Sequence, residues 1–114
     1  MELEIEVIRQ DGHAVVVPRG DVDLATNGRL REAIDELVVG GEVHLVVDLD
    51  EVSFLDSTGL GALIGARRKT HAFKGSFALV CTKDQVMKLF TITGLDKVFA
   101  IHADRESAIP AAAG

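Results

Sequence analysis

At 114 residues the chain has room for one domain and one core, burying roughly two thirds of the surface its unfolded form exposes. A formal charge of -6, from 18 acids against 12 bases, argues against a nucleic-acid backbone as ligand, and 4% aromatics with no Trp or Tyr leave almost no stacking platform for single strands. No apolar run approaches the roughly 20 residues that span a bilayer, and the opening MELEIEVIRQ has acids where a signal peptide is basic and then apolar, so a cytoplasmic protein without membrane contact is expected.

LEIEVI at 3–8 alternates apolar and acidic residues with period two, as does a strand with one face on a core, and AVVV follows at 14–17. Between them Asp11-Gly12 predicts a tight hairpin, because both central positions of the primed turns favour positive φ. Pro18 has no N–H to give to a ladder, so the second strand is expected to end, or to lie at an edge, near there. From Thr26 the period changes. Leu30, Ala33, Ile34, Leu37 and Val38 form one apolar stripe of a helix, Arg29, Arg31, Glu32, Asp35 and Glu36 take the wet side, and Gly40-Gly41 stops it.

HLVVDL at 44–49 is rich in β-branched residues and nearly all apolar, which suits a central strand covered on both faces. A short apolar stretch then runs into DSTGLG, after which Leu60, Leu63, Ile64 and Arg67 carry a helical period to about Phe73, closed by Lys74-Gly75. SFALVC at 76–81 reads as the next strand and places the lone Cys81 in the core as a small apolar side chain. Lys83 to Ile92 predicts a third helix through Val86, Leu89 and Phe90, ended by Thr93-Gly94. KVFAI at 97–101 reads as a last short strand before a helix over about 104–112, and the terminal AAAG is expected to fray.

The order β-β-α-β-α-β-α-β-α predicts the α/β class, a mixed four- to five-stranded sheet with about four packed helices, in one domain over residues 1–114. Once these stripes are assigned to the core no apolar face is left over, so a monomer is expected. His13, His44, His71 and His102 lack metal-ligand spacing and one cysteine cannot pair internally, so no metal, cofactor or disulfide is expected.

FLDSTGLG at 54–61 carries the chemistry to be explained. A nucleophile elbow needs glycine two residues before its serine, where this chain has Leu55, and no histidine spacing supplies a base. A P-loop needs a second glycine five positions on, and counting from Gly59 and Gly61 gives Ile64 and Ala66. The dinucleotide pattern fails at Ile64 too. Two readings stay open: Ser57 caps the helix by accepting an early backbone N–H, or Ser57 is an exposed acceptor of a phosphoryl group at a helix N-terminus. Likewise Asp23 is either a cap on the helix that begins near Thr26 or a contact residue.

The run VVDLDEVSFLDSTGLGALIG, with GDVD at 20–23 and KLFTITGLDKVFAI downstream, resembles the anti-sigma factor antagonists of the STAS-domain family over nearly the whole chain. The resemblance implies a STAS-like fold and a bacterial, non-catalytic, cytoplasmic protein that binds an anti-sigma factor and so frees a sigma factor. In such families the anti-sigma factor is often a serine kinase acting on the first hydroxyl of this motif, here Ser57, with Thr58 as a secondary candidate and a serine phosphatase reversing the mark. The implied contact surface takes in Asp21, Asp23, Asp56, Ser57, Thr58, Gly59 and Leu60, with the three acids converging on it. Pro18, just before GDVD, departs from the family pattern. The alternative is a STAS module that serves as a scaffold part of a larger sensory assembly, with Ser57 as no more than a cap.

Overall fold

The structure, a computed structural model, describes residues 2–113, with side chains as far as Ile109. The hairpin forms as the sequence predicts: β1 (Leu3–Gln10) and β2 (His13–Val22) pair antiparallel with Gln10 opposite His13, and Asp11 and Gly12 take φ of 52° and 79°. Four further strands follow, β3 (His44–Asp48), β4 (Val52–Leu55), β5 (Ser76–Val80) and β6 (Ile101–His102), so the sheet has six strands where four to five are expected. Its order is β1-β2-β3-β5-β6, with β4 pairing separately with β2, and every pairing after the hairpin is parallel.

The helices are α1 (Asn27–Val39), α2 (Ser57–Ala72), α3 (Asp84–Thr93) and α4 (Arg105–Ala113). Side chains alternate across the strands. Ala14, Val16, Leu45, Val47 and Leu79 meet the layer of α1, α2 and α3, whereas Val15, Val17, Val46, Ala78 and Val80 meet α4 through Ala108 and Ile109. β3 and β5 are thus covered on both faces, which is why their sequences read as apolar runs. Fully burying a side chain such as Leu63 or Phe90 contributes about 1.5–3 kcal/mol. Cys81 lies in the same core, and burial pushes its thiol pKa up.

Several expectations are corrected. Pro18 does not end β2, which runs on to Val22. Gly20 N–H points to Glu51 O at 3.2 Å, so the nitrogen of Pro18, two residues earlier, faces the same side. There β3 pairs with Ala14–Val16 and β4 only from Gly20, and a missing donor in the gap costs nothing.

KVFAI is not a strand over its length. Gly94, at φ 76°, ends α3 and starts a 3-10 turn at Leu95–Lys97, whose N–H groups bond locally, and only Ile101–His102 joins the sheet. Phe99 turns inward instead, edge-on to Phe90 with centroids 5.7 Å apart.

α4 spans Arg105–Ala113, close to the 104–112 expected, and Gly114 lies outside the described residues. Apolar residues are also left over after the core is filled: Leu24, Val39, Phe54, Phe73, Ile92 and Val98 are exposed. Among the described residues no helix is long and apolar enough to cross a membrane.

Candidate functional site

β2 and β4 run parallel with Asp21 beside Phe54 and Val22 beside Leu55, so they end together and deliver Asp23 and Asp56 as neighbours at the carboxyl edge of the sheet. Asp56 N–H donates to Val22 O at 3.2 Å, which fixes that edge before α2 begins. Gly59 lets α2 start so close to the strands: a Cβ there would sit 2.9 Å from Val22 O and would collide with Leu55.

The cap of α2 is Asp56, not Ser57. Its Oδ1 accepts Thr58 N–H at 2.9 Å, Gly59 N–H at 3.1 Å and the Thr58 hydroxyl at 2.5 Å, while Oδ2 accepts Leu24 N–H at 3.2 Å. The Thr58 hydroxyl, and after it the N–H groups of Gly59, Thr58 and Leu24, hold this carboxyl below the usual carboxylate range against the opposing effect of burial. The acid takes the cap because its extended backbone precedes the helix, leaving Ser57 as the first helical residue. Ser57 is exposed, and among the described residues its hydroxyl has no hydrogen-bond partner. The Thr58 hydroxyl is engaged and half-buried.

Asp23 does organise the start of α1: its Oδ1 accepts Ala25 N–H at 2.9 Å and Thr26 N–H at 3.1 Å. Thr26 completes the turn by donating to Asp21 O at 2.7 Å. The three acids therefore do not form one exposed face. Asp21 is buried at 8%, and Asp23 and Asp56 are both half-buried, the first engaged through Oδ1 in the turn before α1 and the second through both oxygens in the cap and the Leu24 tie. Leu60 is core at 4% exposure and Gly59 is buried beneath it, so neither is a surface anchor.

What the surface offers instead is apolar. Leu24 is 78% exposed, Phe54 52% and Ile92 81%, and a groove of about 350 Å³ between β4 and α3 is lined by Phe54, Leu55, Val86, Leu89 and Ile92, with Ser53, Gln85 and Lys88 as its polar members. Ile92 was legible in the sequence, since it falls off the Val86–Phe90 stripe. Phe54 was not, because β4 reads buried-exposed-exposed-buried rather than alternating.

A family model described as the STAS domain matches residues 4–108. The chain belongs to the STAS-domain family. This STAS chain is 33% identical over 102 residues to the anti-sigma-B factor antagonist of Listeria monocytogenes, a match covering 89% of this chain and 90% of that one. The crystal structure of an anti-sigma factor antagonist from Mycobacterium paratuberculosis superposes with a TM-score of 0.86 at 30% identity, over 97% of this STAS chain and 94% of the other. The phosphorylated form of the Bacillus cell fate determinant SpoIIAA has the same fold, with a TM-score of 0.70 at 21% identity over 93% and 96% of the two chains.

Proposed function

We propose that this chain is an anti-sigma factor antagonist, a cytoplasmic binding protein rather than an enzyme, acting as a single STAS domain over residues 1–114. It captures an anti-sigma factor and thereby releases a sigma factor, and phosphorylation of Ser57 by that partner, a serine kinase, switches capture off. It is a monomer when free, and a serine phosphatase restores it by hydrolysis. The observation that carries this reading is the free Ser57 hydroxyl: Asp56 does the capping, so the serine is exposed and unengaged at the first turn of α2. The engaged hydroxyl of Thr58 makes it the poorer acceptor.

In the transfer, Ser57 Oγ attacks the γ-phosphorus of ATP, the bond to the β,γ-bridging oxygen breaks, ADP leaves and the hydroxyl proton passes to a base of the kinase. The backbone of the domain need not change, since the adduct stands outside the core. The docking surface comprises Ser57, Asp23 and the exposed Leu24, Phe54 and Ile92, with Asp21, Asp56, Thr58, Gly59 and Leu60 shaping it from beneath. A partner carboxylate about 6 Å from the new phosphate is repelled by about 3 kcal/mol per unit charge at an effective dielectric near 20, roughly a hundredfold in affinity.

The test is capture of kinases from the same genome by the unmodified protein, by protein carrying phosphoserine at position 57, and by Ser57→Ala. Phosphoserine is expected to abolish capture that Ser57→Ala retains. Identical capture by all three sinks the switch and favours a scaffold role. Mass mapping after incubation with ATP is expected to place the phosphate on Ser57, and a mark confined to Thr58 moves the acceptor.

A further inference from the structure

We infer that Arg31 is the internal counterion of the modified state, the side chain that receives a phosphate carried on Ser57. The inference rests on the phosphorylation reading above and deepens it. α1 and α2 lie side by side and run in the same direction, each following a parallel strand, so Arg31 meets Gly61 and Gly65 and Asp35 meets Lys69 in turn. Ser57, Gly61 and Gly65 are spaced at i, i+4 and i+8 and share one face of α2, with neighbouring positions about 5–6 Å apart.

The two glycines leave that face without side chains, and the Arg31 guanidinium occupies the space. A Cβ on Gly61 would lie 3.2 Å from Arg31 Nη2, and one on Gly65 3.5 Å from Nη1. The cleft there, about 240 Å³, is lined by Arg31, Ile34, Ala62, Gly65 and Ala66 together with the paired Asp35 and Lys69. The guanidinium thus lies along the serine's own face of α2, abreast of the positions one and two turns beyond it.

Arg31 is also aimed. Its Nε donates to Asn27 Oδ1 at 3.0 Å, and Asn27 Nδ2 donates in turn to Asp23 O at 2.9 Å and Leu24 O at 3.1 Å. Leu24 N–H is the group held by Asp56, so Arg31 is tied to the same loop that fixes the start of α2. Asp35, one turn further along α1, is taken by Lys69. Among the described residues the two Nη groups of Arg31 have neither a hydrogen-bond nor an ion-pair partner. A guanidinium held by Nε with both Nη ends open presents the planar fork that pairs bidentately with phosphate, which a lysine cannot reproduce. In the modified protein the phosphate closes onto this fork and is held in one orientation against α2.

The test uses the full chain with phosphoserine installed at position 57 during synthesis, so that no kinase or partner is needed, and follows the phosphorus resonance through a pH titration. A free phosphomonoester loses its second proton near pH 6, and beside Arg31 that midpoint is expected at least about half a pH unit lower than in Arg31→Gln. The gap shrinks as salt is added, and Arg31→Lys recovers only part of it. Asp23, Asp56, the Asp35–Lys69 pair and the N–H groups of the first turn of α2 are common to all these proteins, so the difference reports Arg31. Gly61→Val, which displaces the guanidinium without removing its charge, is expected to raise the midpoint as well, and it serves if Arg31→Gln does not fold.

Coincident midpoints in the parent and these variants overturn the assignment. If they coincide while phosphoserine still abolishes partner capture, the Arg31 assignment falls alone. If capture is indifferent to phosphoserine, the switch itself falls whatever the titration gives.

Discussion

Asp56 and Leu24 are joined by a hydrogen bond from the Leu24 N–H to Asp56 Oδ2 at 3.2 Å, while the other oxygen of the same carboxylate caps α2. One side chain therefore binds the loop after β2 to the first turn of α2, and in doing so leaves the neighbouring Ser57 hydroxyl unspent. The site is held by an acid so that a hydroxyl can be available.

Replacing that acid should cost stability and function together. Asp56→Ala removes the cap and the loop tie and is expected to lower the unfolding free energy by about 1–2 kcal/mol, with Asp56→Asn retaining part of it. Urea denaturation measures both. Unchanged midpoints in both variants would show that these bonds are not formed in solution.

Acid sensitivity should follow from the same carboxylate. Its folded-state pKa is depressed, by the Thr58 hydroxyl first, so the stabilisation is fully present above the unfolded value of about 3.9 and is lost as pH falls through the folded value. Between about pH 4 and pH 2 the parent is expected to lose more stability than Asp56→Asn. Thr58→Val, which removes the largest cause of the depression, should flatten the profile. Denaturant midpoints collected across that range decide it.

The glycines of the motif are not equivalent. Gly59→Ala would bring a methyl to 2.9 Å from Val22 O and into Leu55, and is expected to cost about 1–3 kcal/mol despite alanine's better helix propensity. Gly61→Ala meets only the movable end of Arg31, and should be neutral or stabilising by up to about 1 kcal/mol. Two thermal melts separate the cases, and equal losses would refute the packing described.

Phe54 and Ile92 should matter to the partner and not to the fold. Phe54→Ser and Ile92→Ser are expected to change stability by no more than about 0.5 kcal/mol yet to weaken capture of the partner by about tenfold or more. Leu60→Ala, in the core, should instead cost about 2–5 kcal/mol of stability. Calorimetric titration of folded variants with the captured partner distinguishes the two behaviours.

Much of the framework was readable before any coordinates. Asp11-Gly12 forms the turn it predicts, the Leu30, Ile34, Leu37 and Val38 stripe of α1 is buried, and Gly94 ends α3 in the left-handed region. Each of these depends on residues within a few positions of one another. Pro18 misled because its meaning depends on which strand faces its nitrogen, and in this sheet the partner changes from β3 to β4 at that point. Asp21 misled because motif membership does not say which side of a strand meets the core, whereas Leu60 is buried as its place on the apolar period of α2 predicts.

Element types, their stops and the presence of an unusual hydroxyl-glycine stretch were determined by the chain alone, since backbone limits and periodicity act between near neighbours. The roles inside that stretch were decided by tertiary structure. The cap bonds of Asp56 are local, but its second oxygen also holds the Leu24 N–H, 32 residues away, and that tie, with the exposed Ser57 hydroxyl beside it, exists only because β2 and β4 lie in parallel register.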